Sequence, residues 1–228
     1  LIIASWRWYN SRHVGWAAAG GLFLGLMHAA KETALIAACC MAGAFLIITM
    51  FRRKRSRQVD NNKRLLPHIM TAAGVSIMFY SSFFSHPRGI ADSILTYRNY
   101  VSKAVHFQYH THAWWYYLRL LVLDSRPGVL LWREGMLLVF AGAGIYGLIR
   151  GKTGEQENRE FFLFLGAYGF LTAIVYSLIP YKTPWLLLNF YVPLLICAGL
   201  GVPYIIRNIS RFPWKRAAVM SAGFPAVL

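Results

Sequence analysis

The sequence predicts an all-α membrane protein: a polytopic transmembrane helical bundle with about six complete spans, part of a seventh, and an extracytoplasmic helical region. Two observations predict this fold class. Hydrophobic residues make up 57% of the 228 residues and charged residues only 14%, whereas a soluble domain carries roughly a quarter charged residues. The apolar residues also fall into long runs, and a helix needs about twenty apolar residues to cross the hydrocarbon core.

The chain has a net charge of +16, and the positions of the basic residues indicate what this charge is for. A strongly basic chain can bind nucleic acid, but here Lys and Arg occur in short blocks that connect the apolar runs. Cytoplasmic loops of membrane proteins carry such an excess of positive charge. We therefore expect the lipid bilayer as a partner and no nucleic acid, and we expect an integral, multi-pass protein of the cell (plasma) membrane.

The first complete span is predicted over residues 14–30, where glycine and alanine are frequent enough for helices to approach each other closely. Residues 31–33 interrupt the apolar run, and residues 34–51 form the second span. The two spans therefore make a hairpin with almost no loop. Residues 1–13 combine arginines with aromatic residues, which is typical of the interfacial end of an earlier span.

A basic block at residues 52–64 predicts the orientation, because it holds seven Lys and Arg residues against a single acidic one, Asp60. Such a loop lies on the inner side. The third span, residues 65–84, then runs outward, and residues 85–128 form an extracytoplasmic loop region of mixed polarity. Its apolar run at residues 114–123 is too short to cross the bilayer, so we expect an interfacial or re-entrant helix there.

Three further spans are predicted over residues 129–149, 161–179 and 186–206. Residues 207–216 carry four basic residues and no acidic one, which agrees with an inner position. A seventh span begins at residue 217. Because the chain opens without methionine and stops inside this apolar run, we expect residues 1–228 to be a single transmembrane domain and a segment of a longer protein.

This topology brings polar and aromatic residues from distant parts of the sequence to the outer face. Polar groups near lipid are costly unless they pair or face a wet cavity, so their convergence predicts a site. Lys182 is central to it, because Pro180 and Pro184 fix the backbone on either side of this lysine. The candidate site comprises Lys31, Glu32, His110, His112, Tyr181, Lys182 and Trp185.

Each of these residues also has a simpler interpretation. Lys182 could be a snorkelling lysine beside an anchoring tryptophan, Trp185. Lys31 and Glu32 could pair with each other and mark the turn of the first hairpin. The two histidines could be solvent-exposed residues of a loop.

His110 and His112 are weak candidates for a metal site. At a spacing of two residues they share a face of an extended segment and could ligate a divalent cation, but no third ligand is assured. A Mg²⁺ ion or a similar cation could assist the chemistry, although nothing in the sequence requires one. The sequence contains no P-loop, dinucleotide fingerprint, nucleophile elbow or zinc-protease helix, which argues against the chemistry of soluble enzymes.

Three stretches together resemble membrane glycosyltransferases of the GT-C superfamily. They are residues 25–36 (GLMHAAKETALI), 110–118 (HTHAWWYYL) and 176–185 (YSLIPYKTPW). The likeness is to the protein-mannosyltransferase-like branch, which includes the archaeal flippase-activity-associated glycosylation proteins. It covers roughly residues 14–206, and the Lys-Thr-Pro-Trp turn is its most specific part.

The resemblance implies a membrane enzyme that moves a sugar from a polyprenyl-phosphate carrier to a hydroxyl of a protein, lipid or glycan, outside the cytoplasm. The catalytic carboxylate of such enzymes lies in the first outer loop, which we expect upstream of this segment. The segment would then hold the half of the site that binds the carrier phosphate and the acceptor. Lys182, together with Lys31, would stabilise the departing lipid phosphate.

Two alternatives remain open from the sequence. The chain could belong to a lipid-linked oligosaccharide flippase or to an associated transport protein without transferase chemistry. It could also be a structural membrane subunit. An acidic residue in the first outer loop of the full-length protein would favour the enzyme.

Overall fold

A computed structural model describes residues 1–31, 33–51, 61–106, 110–122, 134–151 and 156–209. A 3₁₀ helix at Pro184–Leu187 precedes the last helix of this part of the chain. In chain order, the α-helices are α1 (Ile2–Ser11), α2 (Val14–Ala30), α3 (Ala34–Phe51), α4 (Asn61–Tyr80), α5 (Gly89–His106), α6 (Tyr116–Val122), α7 (Gly135–Ile149), α8 (Gln156–Leu178) and α9 (Leu188–Ile209).

The all-α fold class is confirmed, since the described residues contain helices and turns but no β-strand. Within the same residues, two segments are long and apolar enough to cross a membrane, Arg159–Leu178 and Pro184–Asn208. Shorter apolar helices cover Val14–Ala30, Ala34–Met50, Leu65–Tyr80 and Gly135–Ile149. By length and composition, the two longer segments are consistent with a membrane protein.

Several parts of the predicted topology lie outside the described residues. These are Glu32, residues 52–60 of the basic block, the beginning of the span predicted at 129–149, and the seventh span from residue 217.

The chain divides into two compact units. The first contains residues 1–114 together with 175–183, and the second contains residues 115–174 together with the chain from residue 184. The turn around Lys182 therefore belongs to the first unit, although its flanking helices lie largely in the second.

In the first unit, glycines allow α2 to pack directly on the backbone of α4. Gly20, Gly21 and Gly25 are buried. A Cβ atom on Gly21 would overlap the carbonyl oxygen of His68, and one on Gly25 would come within 2.7 Å of the carbonyl oxygen of Ala72. The close approach that the sequence predicted for this helix is confirmed.

A histidine on α2 fixes α4 and α5 beside it. His28 Nδ1 is hydrogen-bonded to Ser76 Oγ on α4 at 3.1 Å, and the Tyr80 hydroxyl donates to the His28 carbonyl at 3.0 Å. The His28 ring also stacks on Tyr97 of α5, with ring centroids 6.0 Å apart and an interplanar angle of 7°. These contacts join three helices at the C-terminal end of α2.

The boundaries of two predicted segments need correction. The span predicted to end at residue 84 ends at Tyr80, because Ser82, Phe83 and Phe84 take left-handed backbone conformations that stop the helix. Residues 85–128, expected as a loop region, contain the long helix α5. The hydrophobic pattern of α5 does not indicate this helix, because Ser93 lies on its buried side and Ile94 on its exposed side. The short helix predicted at 114–123 is present as α6.

In the second unit, α7 and α9 pack through glycines in the same way. A Cβ atom on Gly144 would overlap the carbonyl oxygen of Cys197, and one on Gly201 would overlap that of Phe140. Arg159 of α8 provides hydrogen-bond donors for the last carbonyl groups of α7. Its guanidinium donates to the carbonyls of Leu148 at 2.6 Å and Ile149 at 3.0 Å. A cation at this position also complements the negative end of the helix dipole.

We expect Gly201→Ala to destabilise the protein and Gly199→Ala to leave it unchanged or slightly more stable. The first change places a methyl group against the Phe140 carbonyl, and such overpacking costs about 1–3 kcal/mol. No heavy atom lies within 4 Å of a Cβ on Gly199, and alanine favours a helix over glycine by about 1 kcal/mol. Thermal unfolding of both variants in detergent measures the difference. Equal stability of the two would contradict the packing of α7 on α9.

Candidate functional site

Two segments of the first unit meet at Lys182. The backbone N–H of His112 donates to the Pro180 carbonyl at 3.1 Å, and the backbone N–H of Lys182 donates to the His110 carbonyl at 2.9 Å. Thr111 and Tyr181 therefore form an antiparallel β-bridge. The convergence that the sequence predicted between the histidine segment and the lysine turn is present.

The Lys182 side chain is buried at this junction and is only 1% exposed. Its Nζ donates to the His112 carbonyl at 3.0 Å and to the Ile179 carbonyl at 2.6 Å. We call this arrangement the lysine clasp: Lys182 with the carbonyls of His112 and Ile179. The lysine therefore neither snorkels to a surface nor extends into open solvent, and it holds the two segments together.

The local sequence explains why the chain can form the clasp. Helix α8 ends at Leu178, so the carbonyl of Ile179 has no intrahelical partner and can accept from Nζ. Pro180 has no N–H to satisfy, and its carbonyl accepts from the other segment. His110 takes a left-handed backbone conformation with φ of 67°, which turns the chain into the bridge.

Within the described residues, the ammonium of Lys182 contacts neutral carbonyl groups. Burial lowers the pKa of Lys182 below the ordinary lysine value, because it disfavours the charged form. An ammonium has three N–H donors, and two of them bond to carbonyls. Among the described residues no carboxylate pairs with Lys182, so its positive charge is not neutralised by that part of the chain.

The surface over the clasp is polar and accessible. His110, Thr111 and His112 are exposed, and Tyr181 is half-buried. The His110 and Tyr181 rings meet edge to face with centroids 5.9 Å apart. A ligand on this surface would meet imidazole and phenol groups directly and the lysine charge from beneath.

Of the other predicted site residues, the structure describes Lys31 and Trp185. Lys31 belongs to the first unit and ends α2 in an extended conformation. It is exposed, and its side chain has no hydrogen bond or ion pair with the residues that the structure describes. Glu32 lies outside the described residues. Trp185 is 58% exposed and belongs to the second unit.

The described residues include no group of three or more His, Cys, Asp or Glu side chains placed to hold a metal ion. A third ligand for His110 and His112 is therefore not found in that part of the chain. These two residues contribute imidazole groups to the surface over the clasp.

Sequence reasoning missed the backbone groups of the site. The carbonyls of His112 and Ile179 hold the ammonium, and Thr183 beside the lysine is only 2% exposed. In the sequence, the position of Lys182 between two prolines and two apolar runs indicated a lysine with a fixed backbone. It did not indicate which atoms would bind the ammonium.

We expect Lys182→Met to lower the free energy of unfolding by about 1–3 kcal/mol, because the carbonyls of His112 and Ile179 both lose their donor. The matched control is Lys31→Met, which removes an exposed lysine without side-chain contacts among the described residues. Thermal unfolding of the wild type and both variants tests this expectation. Equal stability of the two variants would show that the clasp does not stabilise the fold.

The same variants have an expected pH dependence. The pKa of Lys182 is lower in the folded protein than in the unfolded chain, so the unfolded chain binds more protons between the two values. Stability therefore rises with pH in that window and the rise ends near the unfolded value of about 10.4. The wild type should therefore gain stability relative to Lys182→Met as the pH rises towards about 10.

Comparison of this chain with protein-family models, with curated proteins and with solved structures finds no match in any of the three.

Proposed function

We propose that the chain is part of a membrane glycosyltransferase that moves a sugar from a polyprenyl-phosphate carrier to an acceptor hydroxyl. It crosses the plasma membrane with about six complete spans and the beginning of a seventh, and its active face is extracytoplasmic. The observation that carries the proposal is the buried ammonium of Lys182, which the described residues do not neutralise and which lies under an exposed polar surface.

Exposed apolar side chains support a membrane setting for helices beyond the two longest. On α2, Leu22, Phe23 and Leu26 are exposed, and on α4, Leu66, Ile69 and Met70 are exposed. A contiguous apolar surface of this kind marks contact with lipid or protein. The helices that are slightly short for a typical bilayer can be accommodated by local thinning, which costs fractions of a kcal/mol per Å.

Charge complementarity supports a phosphate ligand. No described carboxylate neutralises the Lys182 ammonium, and a carrier phosphate would supply a negative charge beside it. For two unit charges about 6 Å apart at an effective dielectric constant of about 20, the attraction is about 3 kcal/mol. Lys182 can therefore stabilise a phosphate on the surface above it without touching it, and we class it as a positioning residue. Lys31 is a second cation, exposed at the end of α2.

The proposed reaction is an inverting displacement at the anomeric carbon. The acceptor oxygen forms the new bond to that carbon, and the bond from carbon to the phosphate oxygen breaks with its electron pair going to the phosphate. The acceptor proton passes to a carboxylate, which the family resemblance assigns to a part of the enzyme outside residues 1–228. Charge grows on the phosphate as the bond breaks, so a fixed positive field lowers the barrier.

The topology is tested by cysteine labelling in intact cells, with Cys39, Cys40 and Cys197 replaced by serine. A cysteine at position 61 should be protected from an impermeant maleimide added outside, because the basic block next to it lies inside. A cysteine at position 99, on the exposed side of α5, should be labelled. Labelling of position 61 from outside would overturn the topology.

The activity test compares Lys182→Met with the wild type in the full-length protein, at equal folded concentration. We expect Lys182→Met to lower kcat by about 10²-fold with a smaller change in KM, because the field acts mainly on the charge that develops in the transition state. Transfer from a radiolabelled polyprenyl-phosphate sugar to an acceptor is the readout.

A purely structural clasp would give a different result: fewer folded molecules, each transferring sugar at the wild-type rate. Carrier movement across the bilayer without any transfer by the wild type would favour the flippase alternative.

A further inference from the structure

The corner between α4 and α5 exposes aromatic side chains on an unfavourable backbone. Ser82, Phe83 and Phe84 take left-handed conformations with φ of 49°, 57° and 71°, which residues with a Cβ atom rarely adopt. Phe83 is 66% exposed and Phe84 is 71% exposed. Such conformations persist only where the surrounding structure holds them, and they cluster at functional segments. The position of these two rings therefore calls for a physical explanation.

Ser81 holds the corner in this shape. It is buried, its hydroxyl accepts from the Phe84 N–H at 3.0 Å, and its carbonyl accepts from the His86 N–H at 2.8 Å. The Phe83 ring contacts the ring of Phe79, with centroids 5.7 Å apart. The corner is thus a defined turn from which apolar rings project.

Helix α5 continues the apolar surface of the corner. A Cβ atom on Gly89 would overlap the Tyr80 carbonyl oxygen, so α5 begins directly against the end of α4. Ile94 and Leu95 are exposed, whereas Ser93 is buried. The side of α5 that faces away from the protein therefore carries large apolar side chains.

The polar exposed residues of α5 lie to one side of this apolar surface. Successive residues of an α-helix are about 100° apart, so Asp92 and Asn99 share one side and Ile94 lies far from it. Arg98 lies near Ile94 and Leu95, four and three residues further along the helix. An arginine there can place its methylene stem along apolar surface and its guanidinium among lipid headgroups.

We propose that the corner and α5 form an anchor in the outer interface of the bilayer. The rings of Phe83 and Phe84 and the side chain of Ile94 enter the region between headgroups and acyl chains. Arg88 and Arg98 bind the phosphates of anionic lipids. The inference rests on the membrane setting proposed above and not on the transfer reaction.

Lipid fits this surface by position and by charge. In the proposed topology α4 crosses the membrane and ends at Tyr80, so the corner lies at the outer boundary of the bilayer. Arg88 and Arg98 are exposed and form no ion pair with the residues that the structure describes. Helices that lie in the interface combine apolar side chains with basic ones in this way.

The anchor would also set the depth of the surface over the lysine clasp, which belongs to the same unit. Helix α5 ends at His106, and His110 follows after three residues. Three residues span at most about 10 Å. An anchored α5 therefore keeps the exposed histidine segment close to the level of lipid phosphates.

Spin labels on single cysteines test the anchor in the full-length protein, with every native cysteine replaced by serine. The variants are Phe84→Cys, Ile94→Cys and Asn99→Cys, reconstituted into vesicles of phosphatidylcholine and phosphatidylglycerol. Labels at positions 84 and 94 should be relaxed by oxygen and protected from a water-soluble nickel chelate, at about 5–10 Å below the headgroups. The label at position 99 should be accessible to the chelate.

Met70→Cys is the control for the membrane setting, because Met70 is 64% exposed on α4. Its label should be relaxed by oxygen in every vesicle. Chelate access at positions 84 and 94, with position 70 in lipid, would refute the anchor and leave the topology intact. Chelate access at position 70 as well would overturn the membrane setting and the anchor with it. Neither outcome depends on sugar transfer.

A protein partner would give a third pattern. If a second copy or another protein covers the corner, the labels at positions 84 and 94 should be protected from oxygen and chelate alike, which would also refute the anchor.

The role of the arginines is tested with Arg88→Gln and Arg98→Gln. Each change should increase the fraction of molecules with position 94 in water by up to about fivefold in vesicles that contain phosphatidylglycerol, and less in pure phosphatidylcholine. Arg150→Gln is the matched control, because Arg150 is exposed in the second unit. An equal response in both kinds of vesicle, or an equal effect of Arg150→Gln, would contradict phosphate binding by Arg88 and Arg98.

Discussion

The ammonium of Lys182 holds together two parts of the first unit that lie 70 residues apart in sequence, through the carbonyls of His112 and Ile179. Removing a lysine from water is costly unless its donors are satisfied, so the side chain can be buried only where these carbonyls converge. The backbone bridge between Thr111 and Tyr181 supplies that convergence. The position of the polar surface above the clasp depends on this one interaction.

Lys31 and Lys182 differ in burial, although the sequence analysis assigned both the same role. Lys31 and Lys182 were both predicted to face the carrier phosphate, and both follow an apolar helix. Lys31 is exposed, so water and salt screen its charge. Lys182 is buried with neutral acceptors, so its field is screened much less. Of the two, the clasp lysine is therefore the stronger source of positive potential for a bound anion.

The helices approach each other through their backbones. Gly21 and Gly25 on α2, and Gly144 and Gly201 in the second unit, each bring a helix against a carbonyl oxygen of its neighbour. The glycines increase the dispersion contact between the paired helices, and larger apolar side chains lie on the exposed faces.

The sequence by itself determined the all-α class, the breaks at residues 31–33 and 179–183, and the bounds of α2 and α3, because these follow from local hydrophobicity, prolines and charge. It also predicted that the histidine segment and the lysine turn lie at the same face. Only the tertiary structure decided which atoms bind Lys182, that Gly201 is confined while Gly199 is open, and that α5 is a helix with Ser93 on its buried side. These features depend on backbone groups and neighbours distant in sequence, and hydrophobic periodicity carries no information about them.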